Sequence, residues 1–217
     1  RFWWIAQQRV RGSVLFPGVG YCEAALAAAA ESRSTQRWAL AHVEFLDAWA
    51  VPPGTSPRLQ VRLQWSGEDH ARFDVYGRGG DEDERWERRA TGVVVAADDV
   101  APIAPMSGNA ATLSHDDLYA MLDEAGLGYG PAFRGLREMK LGDAEGVASV
   151  QLDTATLDPR ARRYVAFPPV LDAALQAIAG AILQSEPSDS ATPIPTRIGR
   201  LELLRPLPVD AALSVTF

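Results

Sequence analysis

Two stretches of the chain, "VLFPGVGYCEAALAAAA" at 14–30 and "VAFPPVLDAALQAIAGAIL" at 165–183, begin alike and constrain the fold more than any other feature. Each opens on Phe-Pro and runs on as an Ala-rich apolar segment. Proline suits a first helical turn and alanine has the highest helix propensity, so both read as helices, the first from Pro17 to about Ala30. Each is apolar nearly all round, a composition that calls for burial on every side. Four strand-like runs follow the first helix, at 38–51, 58–65, 71–78 and 86–96, separated by the turn-rich "PPGTSP", "SGED" and "GRGGDEDE". The alternation of Leu59, Val61, Leu63 and Trp65 predicts a half-buried antiparallel sheet. Two further runs, 196–207 and 211–217, follow the second helix as the first two strands follow the first. Placing Pro17 over Pro168 puts Phe16 over Phe167 and Tyr21 over Asp172. The order and spacing predict an α+β chain of two copies of one unit, a long helix wrapped by an antiparallel sheet, with the second copy truncated at its C-terminal end. The plainer alternative is that two Ala-rich helices look alike by composition alone.

The expected division is an N-terminal unit at 1–97, a Pro/Ala/Asp-rich linker at 98–113 and an incomplete C-terminal unit at 114–217. Within the last, "SHDDLYAMLDEAG" (114–126) predicts a short helix with Ser114 as N-cap and Asp116 and Asp117 in its first turn. A loop at 127–133 and strands at 133–142 and 146–153 complete the reading.

Composition excludes several functions. The formal net charge is −7 and Lys140 is the only lysine, so there is no basic stripe for nucleic acid. Cys22 is the only cysteine, which rules out an internal disulfide and a Cys-based metal site. The three histidines, His42, His70 and His115, have no metal-ligand spacing, and no metal is expected. No apolar stretch reaches the roughly 20 residues of a membrane helix, and no signal peptide is visible. The expectation is a cytoplasmic piece of a longer polypeptide with no membrane contact. The acidic "GGDEDE" (79–84) reads as a solvated hairpin loop.

Four places could carry chemistry. Asp172 lies on an otherwise apolar helix, where burial raises a carboxyl pKa and makes a proton donor; a first-turn Asp favoured by the helix dipole is the alternative. Gln176, four residues on, shares its face. Phe16-Pro17-Gly18-Val19-Gly20 could present free helix N–H groups to a carbonyl oxygen, or could be tight helix-on-sheet packing. "GYGPAF" (128–133) could offer the Tyr129 hydroxyl, or be a surface turn. There is no Gly-x-Ser-x-Gly elbow and no phosphate loop; Gly18-x-Gly20 lacks the third glycine of a dinucleotide fingerprint.

In three separated segments the chain resembles the dehydratase domains of modular type I polyketide synthases, a double-hotdog family. Gln8, Gly12 and Pro17 fit a His-x-x-x-Gly-x-x-x-x-Pro pattern. Gly128, Tyr129, Gly130 and Pro131 match a Gly-Tyr-Gly-Pro loop. Asp172 and Gln176 match Asp-x-x-x-Gln. Ile194-Pro195 matches a later Leu-Pro segment loosely, with Ile198 where an aromatic is common. The resemblance implies a double hotdog whose two halves share one acyl tunnel. It implies removal of water from a 3-hydroxyacyl thioester, delivered on the phosphopantetheine of an acyl carrier protein, to give a 2-enoyl thioester. A His takes the C2 proton and the Asp protonates the leaving hydroxyl. Gly18 would hold the thioester carbonyl, with Tyr129, Gly130, Pro131 and Gln176 as further substrate-binding positions. No cofactor of the chain's own is implied; the implied partners are the carrier protein, other domains of the same synthase and a second copy in a homodimer.

The departure from the pattern is Gln8 at the His position. An amide has no useful basicity near neutral pH, although it is similar to His in reach and hydrogen-bonds. The expectation is a site that keeps its shape and loses turnover, either an engineered variant or a naturally impaired domain, with a non-catalytic structural or docking domain as the alternative. A one-residue misalignment onto Gln7 would supply no base either. Relatives that shift double bonds or close ether rings generally alter the Asp and keep the His, the reverse of this chain. A hotdog thioesterase would need an acidic group near the first helix start, where Glu23 is the one candidate.

Overall fold

The computed structural model describes residues 2–34, 36–79, 85–98, 111–142, 145–153, 158–185, 192–203 and the backbone of 213–216. In chain order its elements begin with a short hairpin, β1 (Gln8–Val10) and β2 (Ser13–Val14), and the first long helix, α1 (Gly18–Ser32). Strands β3 (Trp38–Phe45), β4 (Arg58–Trp65), β5 (His70–Arg78) and β6 (Glu87–Ala96) follow. Then come β7 (Ala111–Ser114), α2 (His115–Glu124), β8 (Leu127–Tyr129), β9 (Leu136–Leu141), β10 (Gly146–Val150), the second long helix α3 (Pro168–Ser185), β11 (Arg197–Glu202) and β12 (Leu213–Thr216).

Both long helices form where the Phe-Pro starts predict them. Pro17 stands just outside α1 in extended conformation (φ −64°, ψ 134°), so the helix begins at Gly18, one residue later than expected. Helix α1 packs against β3, β4, β5 and β6. Strand β4 alternates exposed and half-buried residues along its length, as the pattern of Leu59, Val61, Leu63 and Trp65 requires. Helix α3 packs against β9, β10 and α2. Ser114 caps α2 as expected, its Oγ accepting from the Asp117 N–H at 3.3 Å.

Sheet pairing departs from two separate copies. Strand β11 follows α3 as β3 follows α1, yet it joins the sheet of the first unit, in the order β11-β3-β6-β5-β4. It pairs antiparallel with β3, with Ile198 opposite Val43 and Leu201 opposite Leu40. The second sheet has the order β12-β10-β9-β7, so three of its four strands precede their helix rather than follow it. Strand partners are a tertiary choice, which the local pattern of each strand does not encode.

Two boundaries also move. The run predicted as one strand over 38–51 stops at Phe45, after a register shift at His42 (φ 51°). The chain then turns to meet the start of α1, where the Phe16 N–H donates to Trp49 O at 2.9 Å. Most of the linker expected at 98–113 lies outside the described residues, but 111–113 belong to β7. The expected loop 79–84 lies outside them except for Gly79.

Two buried clusters hold the units together. The first is rich in aromatics, with Trp4, Phe16, Tyr21, Phe73, Phe133 and Phe167 around α1 and the start of α3. The second, around the rest of α3, is aliphatic, with Leu118, Leu122, Leu136 and Met139 against Ala173 and Ala177. Helix α1 also touches α3 directly.

Candidate active site

The spacing of Gln8, Gly12 and Pro17 has a simple structural cause. Val10 pairs with Ser13 across a two-residue turn, and both turn residues, Arg11 (φ 49°) and Gly12 (φ 81°), are left-handed. That is the geometry of a type I′ hairpin, which glycine accepts without strain. The hairpin's short return strand then delivers the chain to Pro17 and the start of α1. The other edge of β1 pairs with β8, with Gln8 opposite Tyr129. Opposed residues of an antiparallel pair point to the same face, so the hairpin and the Gly-Tyr-Gly-Pro segment present Gln8 and Tyr129 together.

They face a cavity of about 740 Å³ that also receives the starts of both long helices. Gly18 lines it from α1 and Asp172 from α3, and most of the remaining wall is apolar, including Phe16, Phe45 and Leu175. Gln7, by contrast, is not among the lining residues. Its Oε1 accepts from the Ala132 N–H at 2.8 Å and its carbonyl from the Gly130 N–H at 2.6 Å, so it buckles the N-terminal segment to the 130–133 turn. The alternative register at Gln7 would therefore assign the family's base position to a side chain that stands outside the cavity.

Asp172 is 3% exposed. Burial pushes its carboxyl up to about 6, against hydrogen bonds from Gln176 and Gln8 that favour the ionised form. Gln176, expected at a substrate-binding position, is 1% exposed and does not line the cavity; it lies behind Asp172 and donates from Nε2 to Asp172 Oδ2 at 2.8 Å and to Phe133 O at 3.1 Å. Tyr129 is held well above the usual phenol range, first by burial and then by the nearby Asp172, while a hydrogen bond with Gln8 works the other way. The Gln8 side chain thus meets both groups, and its Oε1 is buried without a hydrogen-bond partner among the described residues.

The glycines divide between the two readings. A Cβ at Gly20 would stand 2.6 Å from Phe16 Cε1, so Gly20 is there for packing. One at Gly18 would stand 2.9 Å from Phe45 Cζ, and Gly18 lines the cavity as well. One at Gly130 would stand 2.9 Å from Gln7 Cβ, and neither Gly130 nor Pro131 lines the cavity. Glu23 is also absent from the wall. It accepts the Val165 N–H at 2.9 Å and the Ala166 N–H at 2.6 Å, tying α1 to the lead-in of α3, which removes it as the acid a thioesterase would need. Among the described residues no cluster of His, Cys, Asp or Glu could hold a metal, and no helix is long and apolar enough to cross a membrane.

Sequence reasoning missed two contributions. Leu46, Asp47 and Ala48 line the cavity from the segment read as strand; an aspartate inside an apolar run was the available signal. Tyr119 reaches the site from α2, where it reads simply as part of an apolar stripe.

The family model described as "Polyketide synthase dehydratase N-terminal domain" matches residues 97–217, and that described as "Polyketide synthase dehydratase domain" matches residues 1–78. Polyketide synthase GfsB of Streptomyces halstedii is 36% identical over 183 residues, 79% of this chain and 3% of its own length. The chain therefore spans a small part of that curated relative. Among solved structures, a CurK dehydratase His-to-Phe mutant described as inactive superposes with a TM-score of 0.82 at 20% identity, covering 99% of this chain and 76% of its own. A His-to-Phe variant of the PpsC dehydratase domain from Mycobacterium tuberculosis gives 0.78 at 25% identity, covering 94% and 73%. With two wrapped helices, a shared cavity between them and family matches over both halves, the chain belongs to the dehydratase domains of modular polyketide synthases and has their double-hotdog fold.

Proposed function

We propose that the chain is the dehydratase domain of a modular polyketide synthase that binds a 3-hydroxyacyl thioester, with Gln8 limiting its turnover. The observation that carries this reading is the buried Asp172, raised to about 6, facing Gln8 in one cavity. A carboxyl titrating there keeps roughly a tenth of its population protonated near neutral pH, far more than an ordinary aspartate, and that form can protonate a departing C3 hydroxyl. The Gly20 N–H already donates to Pro17 O, which leaves the Gly18 N–H at the wall as the donor for the thioester carbonyl as enolate character grows. Elimination also needs a base over C2, and an amide at position 8 supplies none. A His-to-Phe mutant and an Asp-to-Asn mutant of the CurK dehydratase are each described as inactive, in keeping with an acid and a base that are both required.

On this reading the acyl chain arrives on the phosphopantetheine of an acyl carrier protein, and the domain needs no cofactor of its own. It works in the cytoplasm beside the other domains of its synthase, as a homodimer. The test is Gln8→His with a 3-hydroxyacyl pantetheine thioester. Dehydration should rise by about 10²–10⁴-fold over the Gln8 protein, and Asp172→Asn should abolish the gain. A folded Gln8→His protein that leaves both 3-hydroxy stereoisomers untouched would overturn the reading.

A second reading is a non-catalytic structural or docking domain. The hydrogen bond between Gln8 and the Asp172 carboxyl favours it, because it gives the amide a structural partner at the position where a base would stand. An inert Gln8→His protein is the outcome that selects it.

A further inference from the structure

We infer that Tyr119, on α2, is the positioning residue for the Asp172 carboxyl and acts through the Gln176 amide. This deepens the reading of Asp172 as the proton donor and rests on it. The chain of contacts runs from backbone to acid without a break. The Leu136 N–H donates to Tyr119 Oη at 3.2 Å, and the hydroxyl donates to Gln176 Oε1 at 2.8 Å. Gln176 Nε2 then donates to Asp172 Oδ2 at 2.8 Å and to Phe133 O at 3.1 Å. Tyr119 Oη also lies 3.0 Å from Phe133 O, but that carbonyl is already served by Gln176, and Oε1 is the nearer acceptor for the single hydroxyl proton.

The orientation of the amide follows from these partners. Turned the other way, Oε1 would face two acceptors, the Asp172 carboxyl and the Phe133 carbonyl, and the –NH2 would face a hydroxyl already accepting from Leu136. With the carboxyl ionised, only this placement satisfies every group. The whole relay is buried: Tyr119 is 2% exposed, Gln176 1% and Asp172 3%. In such surroundings a loose amide is costly and a pinned one fixes its neighbour.

The Tyr119 ring is itself held. It lies 4.8 Å from the His115 ring and 6.1 Å from Tyr129, with the Arg134 guanidinium 4.9 Å from its centroid. Among the described residues, the titratable groups facing Asp172 are therefore two phenols, Tyr119 from α2 and Tyr129 from β8. His115, Arg134 and Arg137 stand beyond Tyr119, and the neutral Gln8 lies opposite.

Tyr119→Phe keeps the ring and removes only the hydroxyl. The measurement is the carboxyl ¹³C titration of Asp172 in the unliganded protein, its signal assigned by loss in Asp172→Asn. Tyr119→Phe should raise the midpoint by about 0.5 pH unit, because the ionised form loses a firmly held donor. Gln176→Leu should raise it further, and Tyr119→Phe should add nothing in the Gln176→Leu background. An unchanged midpoint in Tyr119→Phe, or an equal rise in both backgrounds, overturns the inference. Should Tyr119→Phe not fold, the Tyr119 ring ¹³Cζ signal of the unmodified chain serves instead: it should follow the Asp172 midpoint, and a signal that ignores it overturns the inference. No substrate takes part, so failure here leaves the dehydratase reading to its own test, the Gln8→His assay.

Discussion

Helices α1 and α3 begin with the same Phe-Pro approach, and one turn later each buries a polar residue beside the same cavity: Tyr21 at 2% exposure, Asp172 at 3%. The resemblance ends at their polar atoms. Asp172 is met by Gln176 and Gln8, whereas the Tyr21 hydroxyl is buried with no partner among the described residues. Tyr21 instead commits its ring to Phe16, stacked at 4.8 Å. A place on the helix does not by itself make an acid: burial raises the Asp172 carboxyl, and the donors gathered around it fix its position while pulling its pKa back down. The first unit uses the shared position as a stacked ring, and the second sets a carboxyl there among hydrogen-bond donors. The surroundings follow suit, with an aromatic core behind α1 and an aliphatic one with a polar relay behind α3.

That contrast is open to attack in three places. The largest effect should come from the aromatic core: Phe73, fully buried on β5, should cost about 3–5 kcal/mol as Phe73→Ala in denaturant unfolding. A loss under about 1 kcal/mol would mean that the first unit does not depend on its aromatics.

The next concerns Glu23, the strut between the units. Burial raises it from 4.5 to about 7 despite two backbone donors. A carboxyl raised on folding binds its proton more tightly in the native state. Its contribution is full below pH 4.5 and is lost as pH rises through about 7, a swing of roughly 3 kcal/mol. Subtracting the stability-versus-pH curve of Glu23→Gln from that of the unmodified chain should leave this fall; a flat difference would show that the strut carries no such strain.

The smallest effect separates the paired positions directly. Tyr21→Phe removes an unsatisfied buried hydroxyl and should stabilise by about 1 kcal/mol, seen as a higher Tm. A destabilised Tyr21→Phe would show that the hydroxyl is used after all, and the two helices would be more alike than their contacts indicate.

Much of this was legible in the chain. Both helices were, because Phe-Pro starts and alanine runs act locally. Asp172 was, because a carboxyl on an apolar helix stands out by composition. The exchange of β11 into the first sheet was not, since its own pattern is satisfied by any antiparallel neighbour. The β1–β2 hairpin left only a faint mark, Arg11-Gly12 as a two-residue turn between very short β segments. Tyr119 was hidden for a different reason: on an amphipathic helix a tyrosine that bonds Gln176 and one that merely fills space have the same spacing. Gly130 and Pro131 belong to the turn that locks onto Gln7 and stand outside the cavity wall, a separation that the continuous Gly-Tyr-Gly-Pro run does not reveal.

The pairing of β11 with β3 has a consequence for anyone recombining such domains. A hybrid spliced between the halves would inherit one side of that seam from each parent, with Ile198 obliged to meet Val43 and Leu201 to meet Leu40. Crossovers that ignore that seam would leave a foreign edge strand against the sheet, so productive exchange has to treat the 38–45 and 197–202 segments as one inherited unit.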